Sequence, residues 1–351
     1  MTTFEESLIK SIRFEHPDFI PMTFSVNPSS YYTYDTEALF DLMEEHRFLF
    51  PGFIRPPKGF KPKSGNVNRK GVPYTDDFGC VWETTVEGMT GTVTGHPLED
   101  WNAFKTWKAP DPSVCMGIGS INWDDEAARI GKYKADRHIT RGSLRHGHTF
   151  LQLSDLRGYM NLIFDMADEE PRLWKLIEKI EEFNQYIVDC YLDMNVDIME
   201  FAEDLGMQQG PMVSPEHFVK YIKPSYSRLM KRALQSDTIV HMHSDGDIRA
   251  LADELVDSGV QVLNLQDLVN GIEWIRDKYK GKLCIELDLD RQSITRYGTP
   301  EDIEKLIKYE VLTLGDKSGG FAMIFGLYPG TPLENVKAVM DAMEKYSTYY
   351  A

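Results

Sequence analysis

The stretch HMHSDGD at 241–247 places two imidazoles and two carboxylates within one short run. His241 and His243 are separated by a single residue and follow the run DTIV. Side chains at i and i+2 of a β-strand project from one face, so a strand over DTIVHMH sends both imidazoles out together at its C-terminal end. Two neutral imidazoles held side by side are preorganised for a borderline cation such as zinc. The same spacing also fits a catalytic pair, or two histidines that are each hydrogen-bonded separately.

Other strand-like runs end in polar residues. VDIMEFAED (196–204) ends on Glu203 and Asp204, VQVLNLQ (260–266) carries Asn264 and Gln266, and KLCIELDLD (282–290) carries Glu286, Asp288 and Asp290. FIPMTFSVN (19–27) ends on Asn27, and RHGHTF repeats the histidine spacing at His146 and His148, where Gly147 favours a loop. Glu203 and Asp204 are candidate catalytic acids, with Glu203 also a candidate third metal ligand, although adjacent acids at a strand end equally suit capping. Asn27, Asn264 and Gln266 are candidates for orienting a substrate.

The elements that must position these residues are βα units. From about residue 137, short apolar runs alternate with longer amphipathic segments, the pattern of a parallel sheet with helical crossovers. Strands are expected at 138–144, 196–204, 237–243, 260–266, 282–290 and 319–325, and 19–27 and 91–96 supply two more. Eight such strands make a (β/α)8 TIM barrel with a decorated N-terminal region, the chemistry collecting at the C-terminal strand ends; a doubly wound sheet is the competing architecture. The segment EPRLWKLIEKIEEFNQYIVDCYLDMN reads as a helix, and SPEHFVKYIKPSYSRLMKRALQ as another opened by Ser214, Pro215 and His217. A single domain over 1–351 is expected, with residues 50–82, rich in Pro, Gly and Lys, as a lid or insertion.

Composition narrows the class. A chain of 351 residues, 42% hydrophobic, has enough apolar material for a large core, and its net charge of −17 repels a phosphate backbone, so nucleic acid is not an expected partner. No apolar run is long enough to span a membrane, and MTTFEESLIKSIRFEH is too charged for a signal peptide, which sets the expectation of a cytoplasmic protein. Cys80, Cys115, Cys190 and Cys284 are widely spaced, as free thiols in a reducing compartment are.

Several stretches, in order, resemble the uroporphyrinogen decarboxylase superfamily and, within it, the corrinoid-dependent methyltransferases. They are RFEHPDFIPMTFS, EDLGMQQGPMVSPEHFVKYIKPSYSRL, IVHMHSDGDIRALADELVDSGVQVLNLQ, DLDRQSITRYGTPED and GGFAMIFGLYPGTPLENVKAVMDAM. The resemblance implies a (β/α)8 barrel. The decarboxylase carries an arginine-rich N-terminal motif, whereas here the corresponding strand exit, SVNPSSYYTYD, has no arginine. Methyltransferases that pass methyl groups to coenzyme M carry His-x-Cys and a second cysteine near the last strand, together binding zinc. In this chain His241 matches the histidine, His243 replaces the first cysteine, and GLYPGTP contains no thiol. Imidazole and carboxylate ligands leave a more electrophilic ion than thiolates do, which suits an oxygen substrate.

What the resemblance implies is therefore an O-demethylase methyltransferase component. It would be zinc-dependent, with His241, His243 and Glu203 holding the ion, and would move a methyl group from an O-methyl donor to the Co(I) corrinoid of a separate protein. Tyr31, Tyr32, Trp82 and Tyr328 would enclose a methoxylated ring. A lyase resembling uroporphyrinogen decarboxylase and a non-catalytic binder of a tetrapyrrole or corrinoid are the alternatives, and an oligomer is compatible with each. The corrinoid has to come from a partner, since the Asp-x-His-x-x-Gly signature would need aspartate where His241 stands. GIGSIN lacks the third glycine of a dinucleotide fingerprint, and no P-loop is present.

Overall fold

The computed structural model describes residues 3–350. Its principal sheet has seven strands: β1 (Met22–Val26), β2 (Arg141–Ser143), β3 (Ile198–Ala202), β4 (Ile239–Ser244), β5 (Val262–Gln266), β6 (Cys284–Asp288) and β7 (Phe321–Leu327). Helices follow the strands as the alternation of the sequence requires, and the fold class is that of the (β/α)8 barrel, with seven parallel strands in the principal sheet among the described residues. Among the described residues no helix is long and apolar enough to cross a membrane.

The chain divides into two compact units. The terminal unit runs to Val72 and also holds Glu83–Gly91 and the residues from Leu265 onward; the middle unit holds Pro73–Trp82 and Thr92–Asn264.

In the middle unit β3 pairs in parallel with both β2 and β4, and its register sets Glu200 beside His241 and Ala202 beside His243. Met199, Phe201, Val240 and Met242, on the alternate positions, are fully buried. One face of these strands is thus committed to packing, and the other presents Glu200, His241 and His243. The helix Pro171–Asp193 buries Leu173, Leu176, Ile177, Ile180, Phe183 and Ile187, the i, i+3, i+4, i+7 spacing of an amphipathic helix. It starts where expected, with the Glu170 carboxylate accepting from the Arg172 N–H and Pro171 in the first turn. The SPEH segment also opens as expected, Ser214 Oγ accepting from His217 N, but the helix does not run on uniformly. A π-helical turn over Phe218–Ile222 intervenes before the helix Lys223–Gln235. Pro224 is the physical reason, since it has no N–H to give to the carbonyl four residues earlier and its ring crowds that carbonyl.

In the terminal unit β7 lies between β1 and β6, parallel to both, with Met22 beside Met323 and Leu287 also beside Met323. Phe24, Leu287, Met323 and Phe325 are buried there, and the helices Pro300–Leu314 and Leu333–Ser347 pack together. Thr299 and Asp302 form a reciprocal capping box at the first of these.

One expected barrel strand is elsewhere. Thr92–Gly95 pairs instead into a three-stranded sheet with Tyr74–Thr75 and Val81–Glu83, in which Tyr74 and Trp82 are antiparallel partners. The alternation Thr-Val-Thr reads identically in a half-buried ribbon and in a barrel strand, so pattern alone does not separate them.

Candidate metal centre

The alternation of β3 carries past its end. Asp204 falls on the parity of Glu200 and Ala202, and therefore on the face shared with His243. Asp204 Oδ1 lies 3.4 Å from His146 Nε2 and 3.5 Å from His243 Nε2. Ligand-capable atoms of the three residues all lie within 4.8 Å of one another. For a tetrahedral ion with zinc-like bonds to nitrogen and oxygen, neighbouring ligand atoms should be about 3.3–3.4 Å apart. The two measured edges match that spacing. The His146, Asp204 and His243 side chains are 50%, 32% and 22% exposed, so the cluster has an open side.

The surroundings fix its protonation. The Nδ1–H of His243 donates to the side-chain oxygen of Asn264, so Nε2 is the nitrogen that faces Asp204, donating to it while protonated and free to ligate once that proton leaves. Asp245 N donates to Asp204 Oδ1 at 3.0 Å, and Asp245 Oδ1 is 3.7 Å from His243 Nε2. Burial works to raise the Asp204 carboxyl, but hydrogen bonds from His146 and His243 outweigh it and hold the group well below the carboxylate range. Burial likewise works to lower His243, while Asp204 and Asp245 together push it up to about 9.

Two glycines hold the bends that aim these groups. Gly147 has φ of 77°, and it turns the chain so that His146 joins the cluster while His148 is fully buried, its ring against Tyr226 and its Nδ1 at Thr149 Oγ1. Gly246 has φ of 80° and meets Gly206 backbone to backbone, where an added Cβ would come within 2.2 Å of the Gly206 carbonyl carbon. The contact is tied by Gly206 N to Asp245 O at 3.2 Å and Asp247 N to Met207 O at 2.7 Å.

Glu203, expected to complete the ligand set, is turned to the opposite, packed side. It is fully buried, and its Oε1 accepts from Thr149 N at 2.9 Å and Leu151 N at 2.8 Å. Its Oε2 accepts from the Tyr226 hydroxyl, whose pKa burial and the neighbouring charge hold well above the ordinary phenol value. The carboxylate therefore caps the helix Phe150–Arg157. One residue of strand parity separates it from Asp204. His241 is on the face of His243 but one rung deeper, beside Glu200, which receives Arg141 Nη1 at 2.5 Å. Among the described residues the possible metal clusters contain neither His241 nor Glu203.

Trp82, expected beside a substrate, is 8% exposed and donates its Nε1 proton to Asp76 Oδ2 at 2.9 Å. The Arg145 guanidinium lies 5.5 Å from the Trp82 ring centroid and pairs with Asp155 at 2.9 Å. Burial pushes Asp155 up to about 6 against the pull of that arginine. Arg145 is thus a fixed point in the chain directly before His146, a role the sequence does not announce.

The remaining expected substrate residues belong to the terminal unit. Asn27 Oδ1 accepts from Ser29 N and Oγ at 3.0 and 2.6 Å, forming a turn at the β1 exit. Tyr31 packs on Phe40 and Phe60, the Tyr32 hydroxyl donates to Pro62 O, and Gln266 ends β5 half-buried. Tyr328 is 38% exposed with the Arg291 guanidinium 5.1 Å from its ring centroid.

The chain belongs to the uroporphyrinogen decarboxylase (URO-D) family, whose profile matches residues 149–346. It is 21% identical over 210 residues to the methylcobamide:CoM methyltransferase MtaA of Methanosarcina barkeri (strain Fusaro / DSM 804), an alignment covering 55% of this chain and 58% of that protein. A second M. barkeri methylcobamide:CoM methyltransferase MtaA is 22% identical over the same proportions. This chain thus spans little more than half the length of the curated relatives it matches. A solved structure of a methyltransferase from Methanosarcina mazei aligns over 100% of both chains with a TM-score of 0.66 and 16% identity, a likeness of fold.

Proposed function

We propose that this protein is a corrinoid-dependent methyltransferase that takes a methyl group from an O-methyl donor, a methoxyaromatic compound being the favoured class, and delivers it to the Co(I) corrinoid of a separate protein. The observation that carries this reading is the His146–Asp204–His243 cluster. Two imidazoles and one carboxylate are a ligand set of catalytic zinc, in which a further position stays open for substrate. Their spacing and open side fit such an ion, and His146 and Asp204 take the places for which the sequence offered His241 and Glu203. When bound, the ion supplies Lewis acidity that polarises the donor oxygen.

The chain's own groups do the rest. Asn264 holds the His243 ring in the ligating tautomer, and the Asp245 N–H holds the Asp204 carboxylate in place. Arg145, clamped by Asp155 and Trp82, steadies the bend from which His146 projects. In the transfer the C–O bond breaks with its electron pair on oxygen, the methyl carbon bonds to the acceptor cobalt, and the oxygen takes a proton from solvent at the exposed side. A set of two imidazoles and one carboxylate favours an ether over a thioether donor, because no thiolate moderates the ion's acidity.

The test is a spectral one. Zinc-loaded protein is mixed with a reduced corrinoid protein and a panel of methoxyaromatics, methanol, methylamines and methyl thioethers, and conversion of Co(I) to methyl-Co(III) is followed. Turnover with an O-methyl donor that is lost on chelation supports the reading. Turnover that persists without metal, or only with the amines and thioethers, overturns it.

A further inference from the structure

The terminal unit contains a second meeting of imidazole and carboxylates. His46 closes the helix Thr36–Glu45, its backbone N–H bonded to Leu42 O, and its side chain is only 3% exposed. It faces the helix Leu333–Ser347, where Asp341 Oδ1 is 3.5 Å from Nε2 and Glu344 Oε2 is 3.1 Å from Nδ1. Neither ring nitrogen has a hydrogen-bond partner, since both carboxylates lie off the line along which an N–H donates. A buried imidazole left so is costly. Ligands of one ion have this geometry, because each points at the shared centre and not at the next ligand. Ligand-capable atoms of Glu45, His46 and Asp341 lie within 4.8 Å of one another.

Charge points the same way. Glu45, Asp341 and Glu344 bring three carboxylates to His46, and the cation among them is Lys337, which bonds Glu45 and lies 3.1 Å from Asp341. The last turn of the helix Thr36–Glu45 carries no basic residue, so its negative dipole end adds to the excess.

We propose that Glu45, His46 and Asp341 form a second divalent-metal site of the zinc class, with His46 ligating through Nε2. Glu344, 3.1 Å from Nδ1, would accept its proton once the ring turns to ligate, as carboxylates behind metal-bound histidines do. Binding displaces the 39%-exposed Lys337 side chain and ties the end of one helix to the face of the other. This site is independent of the methyl-transfer reading, and its test does not use that activity.

The full chain carrying His146→Ala and His243→Ala, which removes the first cluster, is dialysed against Zn2+ and separately against Co2+. Retention of about one zinc per chain, with cobalt d–d bands of a mixed nitrogen and oxygen site, is the expected result. In that background Asp341→Asn, at an exposed position, and His46→Gln should each remove the bound ion. Glu344→Gln should weaken it about tenfold or more, and Lys337→Met should strengthen it by removing the competing cation. Absence of zinc in the parent background, or zinc undiminished by Asp341→Asn in a protein that still melts cooperatively, overturns the site. Weaker binding in Lys337→Met also overturns it.

Discussion

The Nδ1–H of His243 points at the side-chain oxygen of Asn264, so a residue of β5 decides which nitrogen of a β4 histidine is free to ligate. Replacing Asn264 by Leu removes the acceptor and leaves the ring free to take the other tautomer. Zinc affinity, read by competition with a chromophoric chelator, should fall about 10–100-fold. Asn264→Asp keeps an acceptor and should retain binding.

His146 and His241 separate two ligand sets. His146→Ala should lower zinc affinity by at least about tenfold, because it deletes a direct ligand. His241→Ala, one rung deeper than the cluster, should lower it far less. Equal losses from both would return His241 to the ligand set.

Glu203→Gln tests a cap in place of a ligand. The carboxylate accepts from two backbone N–H groups and the Tyr226 hydroxyl, and an amide meets those donors with one acceptor oxygen only. Urea unfolding should show a loss of about 1–3 kcal/mol, while zinc content stays the same. Loss of zinc at unchanged stability would give Glu203 its ligand role back.

The buried pair Asp267 and Glu310 gives the fold a pH signature. Burial raises both carboxyls, Asp267 to about 6 and Glu310 well above the ordinary carboxylate range, each influenced by the other. Glu310 is fully buried and has no hydrogen-bonding partner for either oxygen beyond a facing carboxyl, so it stays protonated in the folded chain. A carboxyl raised on folding takes up a proton, so its contribution is intact below the unfolded value of about 4.3 and declines as pH rises, by about 1.4 kcal/mol per pH unit while the difference in protonation is complete. Glu310→Gln has no such proton to take up. As pH rises above about 4.3, wild-type stability measured by denaturant should therefore fall relative to the variant, and parallel pH profiles would refute the assignment.

These predictions mark where the sequence was readable. The βα alternation located seven strands because buried parallel strands and amphipathic helices leave distinct periods in the chain, and His243 was legible because a strand fixes where its i and i+2 side chains go. His146 was not, since a glycine bend at φ 77° has no period from which to infer a direction. That Asp204 and not Glu203 faces the candidate cluster has a similar cause. Where a strand ends, a shift of one residue moves a carboxylate from one face to the other, and pattern does not fix ends that finely. The Thr92–Gly95 strand escaped because pairing partners are set by tertiary packing and not by the strand's own alternation.

The backbone contact of Gly206 with Gly246 couples the loops that follow β3 and β4. With no side chain between them, neither loop can shift without carrying the other. Asp204 and Asp245 therefore travel as one piece, like two teeth cut on one gear. Genetic variation should feel this as mutual intolerance. A side chain at either glycine would be rejected, and recovery would require lengthening a loop, since there is no smaller residue to substitute on the opposite side.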